Sequence, residues 1–195
     1  MKTLPRCFGL AAAALLPTLA LAHTGAGTPH AHDAFFNGLL HPLTGLDHLA
    51  AMLALGVWSA LAVRPAWLAP AAFVLLLATG ALAGFAGLAV PAVEPMIAVS
   101  LLVIGLLLAR RQQLPQSVAA ALAGAFAFFH GVAHGSELAA GNAMPALVGM
   151  LVSTALLHLT GMALGRYVLQ RQRALSAATG GAVALLGSAL LLGLA

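Results

Sequence analysis

An all-α, polytopic membrane bundle of about six transmembrane helices behind a cleaved signal peptide is the fold class this sequence predicts. Three observations lead there. Of the 195 residues, 62% are apolar and 6% charged, whereas a soluble domain carries about 25% charged residues. The apolar residues gather into runs long enough to cross about 30 Å of hydrocarbon. Beyond the first 22 residues, the basic residues fall only in every second loop between those runs. Such a composition excludes an ordinary soluble enzyme, a disordered tail and a nucleic-acid binder, although the formal charge is +4.

Residues 1–22, MKTLPRCFGLAAAALLPTLALA, carry the signal pattern. Lys2 and Arg6 form a basic start, a short apolar stretch follows, and Ala20-Leu21-Ala22 is an A-x-A cleavage site that leaves His23 as the new N-terminus. An uncleaved first helix is the alternative, disfavoured by the short run and by Pro17. Cleavage lowers the formal charge from +4 to +2 and removes Cys7, the only cysteine. Any metal handled by the mature chain must then be held by nitrogen and oxygen. Residues 23–35 are small, polar and histidine-rich, and are expected to form a periplasmic arm ahead of the transmembrane domain, 36–195.

Six spans are expected near 36–63, 66–87, 92–109, 115–135, 144–169 and 177–194. Each approaches or exceeds the roughly 17–25 residues a membrane helix needs. Helices are the form that satisfies their own backbone groups in lipid, and the alternation of a membrane strand is absent. With the mature N-terminus outside, the loops after the first, third and fifth spans are cytoplasmic. Arg64, Arg110, Arg111, Arg166, Arg171 and Arg173 all fall there, as the positive-inside rule requires. Asp33, Glu94 and Glu137 fall on the opposite side. The spacings Gly80-x3-Gly84, Gly131-x3-Gly135 and Gly161-x3-Gly165 predict close backbone approach between helices.

Two segments carry the chemistry. The first span opens with HPLTGLDHLAAML. His41 and His48 are seven residues apart, which places them on one face of a continuous helix, and Asp47 stands about 100° around from His48. Pro42 and Gly45 loosen this turn. An aspartate at bilayer depth costs about 2.5–3.5 kcal/mol on insertion scales, so Asp47 needs a partner. The fourth span ends in FFHGVAHGSE, where His130, His134 and Glu137 share a face if the helix persists to Glu137. Two imidazoles and a carboxylate form half of a divalent-metal site. The assigned topology brings both segments to the outer face. Isolated intramembrane histidines can also be packing residues, and for His158, deeper in the fifth span, ligation and packing stand level. In the arm, His23, His30 and His32 are accessory metal-capture candidates, with a plain polar arm as the alternative.

These motifs resemble the signatures of the HupE/UreJ family of nickel permeases: HPLTGLDHLAAMLALGVW, FFHGVAHGSE and a histidine-bearing N-terminus after a signal. His41-x5-Asp47-His48 is also similar to the His/Asp signature of the larger nickel/cobalt transporter family. The resemblance implies metal recognition by His41, Asp47, His48, His130, His134 and Glu137, and cargo destined for hydrogenase or urease maturation. Leu138-Ala139 follow Glu137 where a proline is expected, a departure that touches loop geometry rather than ligand type.

The expected function is therefore a secondary or facilitated permease of the bacterial inner membrane, not an enzyme, with Ni²⁺ or Co²⁺ as cargo and no prosthetic group. Its expected partners are the ion and the lipid bilayer, with no nucleic acid or nucleotide; a homo-oligomer is compatible with such a surface. No Gly-x4-Gly-Lys-[Ser/Thr] motif is present for ATP. Ligating imidazole must be neutral, so uptake should weaken in acid, around a reference pKa near 6.5. Two other classes fit the same ligands. An intramembrane zinc hydrolase is one, although His130-Gly131-Val132-Ala133-His134 lacks the glutamate of His-Glu-x2-His. A metal-binding accessory or sensor that moves no ion is the other.

Overall fold

The computed structural model describes residues 31–138 and 142–194. The expected signal segment, His23 and His30 lie outside the described residues. Among the described residues every regular element is helical: α1 (Ala31–Thr44), α2 (Leu46–Ala62), α3 (Leu68–Phe85), α4 (Val93–Arg110), α5 (Gln116–Leu138), α6 (Ala143–Ala163) and α7 (Arg173–Leu191), with a π-helical turn at Leu164–Leu169 continuing α6. Five of these are long and apolar enough to cross a membrane, and α1 with α2 supplies a sixth if the bent pair is one span. The chain is a multi-pass helical membrane protein. Its outward side chains include Leu75, Leu156, Leu159 and Leu185, an apolar surface suited to lipid rather than water.

The first span departs from the expectation of one continuous helix. The chain bends by 79° between α1 and α2. Gly45 takes an extended conformation (φ −92°, ψ 118°) at the start of α2, and Pro42 lies in the last turn of α1, where its ring cannot donate to the helix ladder. His41 and His48 therefore sit on two different helices and do not share a helix face. Residues 31–35 of the expected arm already belong to α1.

Glycines set the helix pairing. Gly80 and Gly84 of α3 meet Gly131 and Gly135 of α5 in register, so the two helices run parallel; a Cβ on Gly131 would lie 2.8 Å from the Ala81 nitrogen. Gly56 and Gly161 bring α2 and α6 together, also parallel, while Gly38 and Gly149 join α1 to α6. Gly105, Gly180 and Gly187 join α4 to α7 in antiparallel register. Small residues let these backbones approach until van der Waals contact replaces side-chain interdigitation. The three expected small-xxx-small pairs are all used in this way.

These directions give the bundle two unlike ends. At one, α2, α4 and α6 finish and the arginines collect. Arg111, at φ 49° after α4, donates to Ser176 Oγ (2.8 Å) and to the carbonyls of Leu169 and Gln170, closing the π-helical turn. Trp58 Nε1–H donates to the Gln112 carbonyl (2.9 Å), tying α2 to the segment before α5. At the other end α5 finishes, α6 begins, and the Gly45 bend brings in His41 and His48. Between them lies a core that includes Met52, Leu55, Phe73, Leu77, Leu101 and Met150, all fully buried.

Candidate metal centre

The helix α5 does persist past Glu137, and that places three of its side chains along one face. His134 Nδ1 lies 3.5 Å from Glu137 Oε2. From α1, His41 Nε2 lies 2.9 Å from the same His134 nitrogen and 3.4 Å from the same Glu137 oxygen. Three ligand atoms thus form a near-equilateral triangle. A first-row divalent ion about 2.0–2.1 Å from each ligand spaces neighbouring ligands roughly 2.9 Å apart in an octahedron and roughly 3.3 Å apart in a tetrahedron. The observed edges, 2.9, 3.4 and 3.5 Å, run from the octahedral spacing to slightly beyond the tetrahedral one. His134 is 1% exposed, whereas the side chains of His41 and Glu137 are 34% and 59% exposed, so the triangle is buried behind and open in front.

His48 and His130 stand behind it. The His48 ring is 4.3 Å from that of His134 and 5.0 Å from that of His130, centroid to centroid. Hydrogen bonds fix which nitrogen of each ring is bare. Asp47 Oδ1 accepts from the His48 backbone N–H (2.9 Å) and from its Nδ1–H (3.0 Å), which leaves Nε2 with the lone pair. Ser100 Oγ gives its single proton to the Ile97 carbonyl (2.6 Å), so toward His130 Nε2 (3.0 Å) it accepts, and His130 Nδ1 is bare. His48 Nε2, His130 Nδ1 and His134 Nε2 are all buried without a hydrogen-bond partner among the described residues. Buried polar atoms are normally paired; the lone pairs on His48 Nε2 and His130 Nδ1 suit a cation, whereas His134 Nε2 carries the hydrogen when Nδ1 serves the triangle.

The six residues singled out from sequence therefore play unequal parts. His41, His134 and Glu137 form the triangle; His48 and His130 offer bare nitrogens behind it; Asp47 aligns His48 rather than joining the triangle. Asp47 also lines a pocket of about 360 Å³ with Glu94, Pro95 and Leu190, so two carboxylates border an opening beside His48. His32 is exposed in the first turn of α1. His158 is buried deeper, against Met52 and Phe73. Sequence reasoning missed Ser100, a hydroxyl inside an apolar run, and placed Glu94 only by its charge. A polar residue in a membrane helix facing the bundle was the available signal for both.

A family model described as HupE / UreJ protein matches residues 11–190. The chain is 42% identical over 185 residues to "Protein HupE" of Rhizobium leguminosarum bv. viciae, covering 93% of this chain and 95% of that protein. No solved structure matches.

Proposed function

The chain belongs to the HupE/UreJ family, and from that premise we propose that it is a secondary or facilitated permease for a divalent transition metal, nickel before cobalt, supplying metalloenzyme maturation across the bacterial inner membrane. One observation carries this reading: the triangle of His41, His134 and Glu137, open on one side and backed by bare imidazole nitrogens on the other. A resident structural metal needs a closed ligand set. A cargo ion needs an open first station and further ligands along its way.

In this reading the chain is no enzyme and carries no prosthetic group; the ion is substrate. The six arginines at the opposite end support a cytoplasmic position for that end by the positive-inside rule; in this reading the triangle faces the periplasm, on the side of the mature N-terminus. The ion sheds part of its water as Glu137 and His41 engage it, and the carboxylate offsets its charge. Inward movement of a doubly charged ion down ~100 mV releases about 4.6 kcal/mol, sufficient drive without a nucleotide. Ligand softness alone would favour Cu²⁺ over Ni²⁺, so selectivity falls to the spacing of the ligands and to metal supply.

The test is flux into proteoliposomes holding the purified protein, comparing Ni²⁺, Co²⁺, Zn²⁺ and Cu²⁺. Saturable Ni²⁺ entry that is lost in His41→Ala supports the reading. Tight Ni²⁺ binding in detergent with no flux for any of the four ions would overturn it in favour of an accessory or sensor protein.

A further inference from the structure

Beyond the triangle and the imidazoles behind it, the bundle interior holds polar atoms that packing leaves unexplained. His158 and Thr154 lie one turn apart on one face of α6 and are 1% and 0% exposed. His158 Nδ1 is 2.9 Å from the Met52 carbonyl oxygen. A carbonyl only accepts, so Nδ1 carries the hydrogen and Nε2 keeps its lone pair. Among the described residues that nitrogen has no hydrogen-bond partner, and neither has Thr154 Oγ1. Hydroxyls in these helices ordinarily bond back to the preceding turn, as Thr160 does to Leu156 (2.8 Å) and Thr179 to Leu175 (2.9 Å). Thr154 makes no such bond.

An imidazole with one N–H held by a backbone carbonyl and the other nitrogen bare is how proteins orient a metal-ligating histidine. The ring of Phe73 lies 5.0 Å from that of His158 and 5.7 Å from that of His130. It separates the deepest imidazole of the first group from this one. We propose that His158 Nε2 and Thr154 Oγ1 form a second, interior station for the same class of divalent cation, with the Phe73 ring between the two stations. Its place in flux rests on the permease reading; its ligand set does not.

His158→Asn separates ligand from packing residue, because the asparagine amide can still donate to the Met52 carbonyl but offers nothing at the position of Nε2. Purified full-length protein in detergent is titrated with Co²⁺ and read by its visible absorption, and the same variants are assayed for Ni²⁺ flux. The wild type is expected to bind one Co²⁺ more than His158→Asn, and His41→Ala to retain that His158-dependent ion. Flux through His158→Asn should fall by about tenfold or more, with an unchanged unfolding midpoint. Wild-type stoichiometry and flux in His158→Asn would overturn the interior station and leave the permease reading intact. Loss of the ion with flux preserved would overturn its place on the route. A His158-dependent ion in a wild-type protein that passes no metal would sink the permease reading and leave the station standing. Should His158→Asn not fold, Thr154→Val, which keeps the shape and removes the oxygen, carries the test: an unaltered Co²⁺ spectrum with wild-type flux refutes the station.

Discussion

Replacing Asp47 with alanine removes the carboxylate and, with it, the two hydrogen bonds that Oδ1 accepts, from the backbone N–H and from Nδ1–H of His48. Both losses act on the same ring. Without the carboxylate, His48 can carry its proton on either nitrogen and turn away from its neighbours, so the bare Nε2 is no longer presented. Losing such a partner of a metal-ligating histidine costs about 10–100-fold in metal affinity, or about 1.4–2.7 kcal/mol. The first turn of α2 also loses an acceptor for the His48 backbone N–H, worth about 0.5–1.5 kcal/mol of stability. Calorimetric titration of Ni²⁺ into the purified protein measures the first effect, and thermal unfolding without metal the second. Because Asp47 acts through His48, Asp47→Ala should cost little in a His48→Ala background. An equal loss of affinity in both backgrounds, or a loss under about threefold in the wild-type background, would refute this positioning role.

Other substitutions test other parts of the fold. Gly45→Ala puts a Cβ 2.9 Å from Asp47 Oδ1 and 3.1 Å from His48 Nδ1; it should weaken Ni²⁺ affinity several-fold while leaving the unfolding midpoint close to that of the wild type. Gly131→Leu drives a side chain into the α3 backbone and should destabilise by about 3 kcal/mol or more, read as lost yield of monodisperse protein. Gly181→Ala, with nothing within 4 Å of the new carbon, should stabilise α7 by up to about 1 kcal/mol in the same assay. Arg111→Ala removes the hydrogen bonds to Ser176, Leu169 and Gln170 and should cost about 1–3 kcal/mol, with Ni²⁺ affinity in detergent unchanged.

The apolar runs disclosed the spans to within a few residues because hydrocarbon thickness fixes helix length, and the small-xxx-small pairs disclosed which faces touch. The His130–His134–Glu137 ladder was equally legible, since helical periodicity alone aligns it once α5 reaches Leu138. The break at Gly45 was not, because an apolar run reads the same whether or not the backbone turns within it. Pro42 and Gly45 marked weakness, but not the 79° bend itself, nor that α1 beyond it packs on α6 through Gly38 and Gly149. Nor could one chain reveal that Ser100 of α4 sets the proton on His130, or that Phe73 of α3 parts two groups of imidazoles. Those are relations between helices, and no periodicity encodes them.

The glycine contacts sort the imidazoles into two slabs. His130 and His134 ride with α5, seated backbone to backbone on α3, while His41, His48 and His158 belong to α1, α2 and α6, clasped by Gly38, Gly149, Gly56 and Gly161. The 2.9 Å approach of His41 to His134 spans the seam between the slabs. A slide of an ångström or two along that seam would part His41 from His134, so in the permease reading the hold on the ion depends on how the slabs are set against each other.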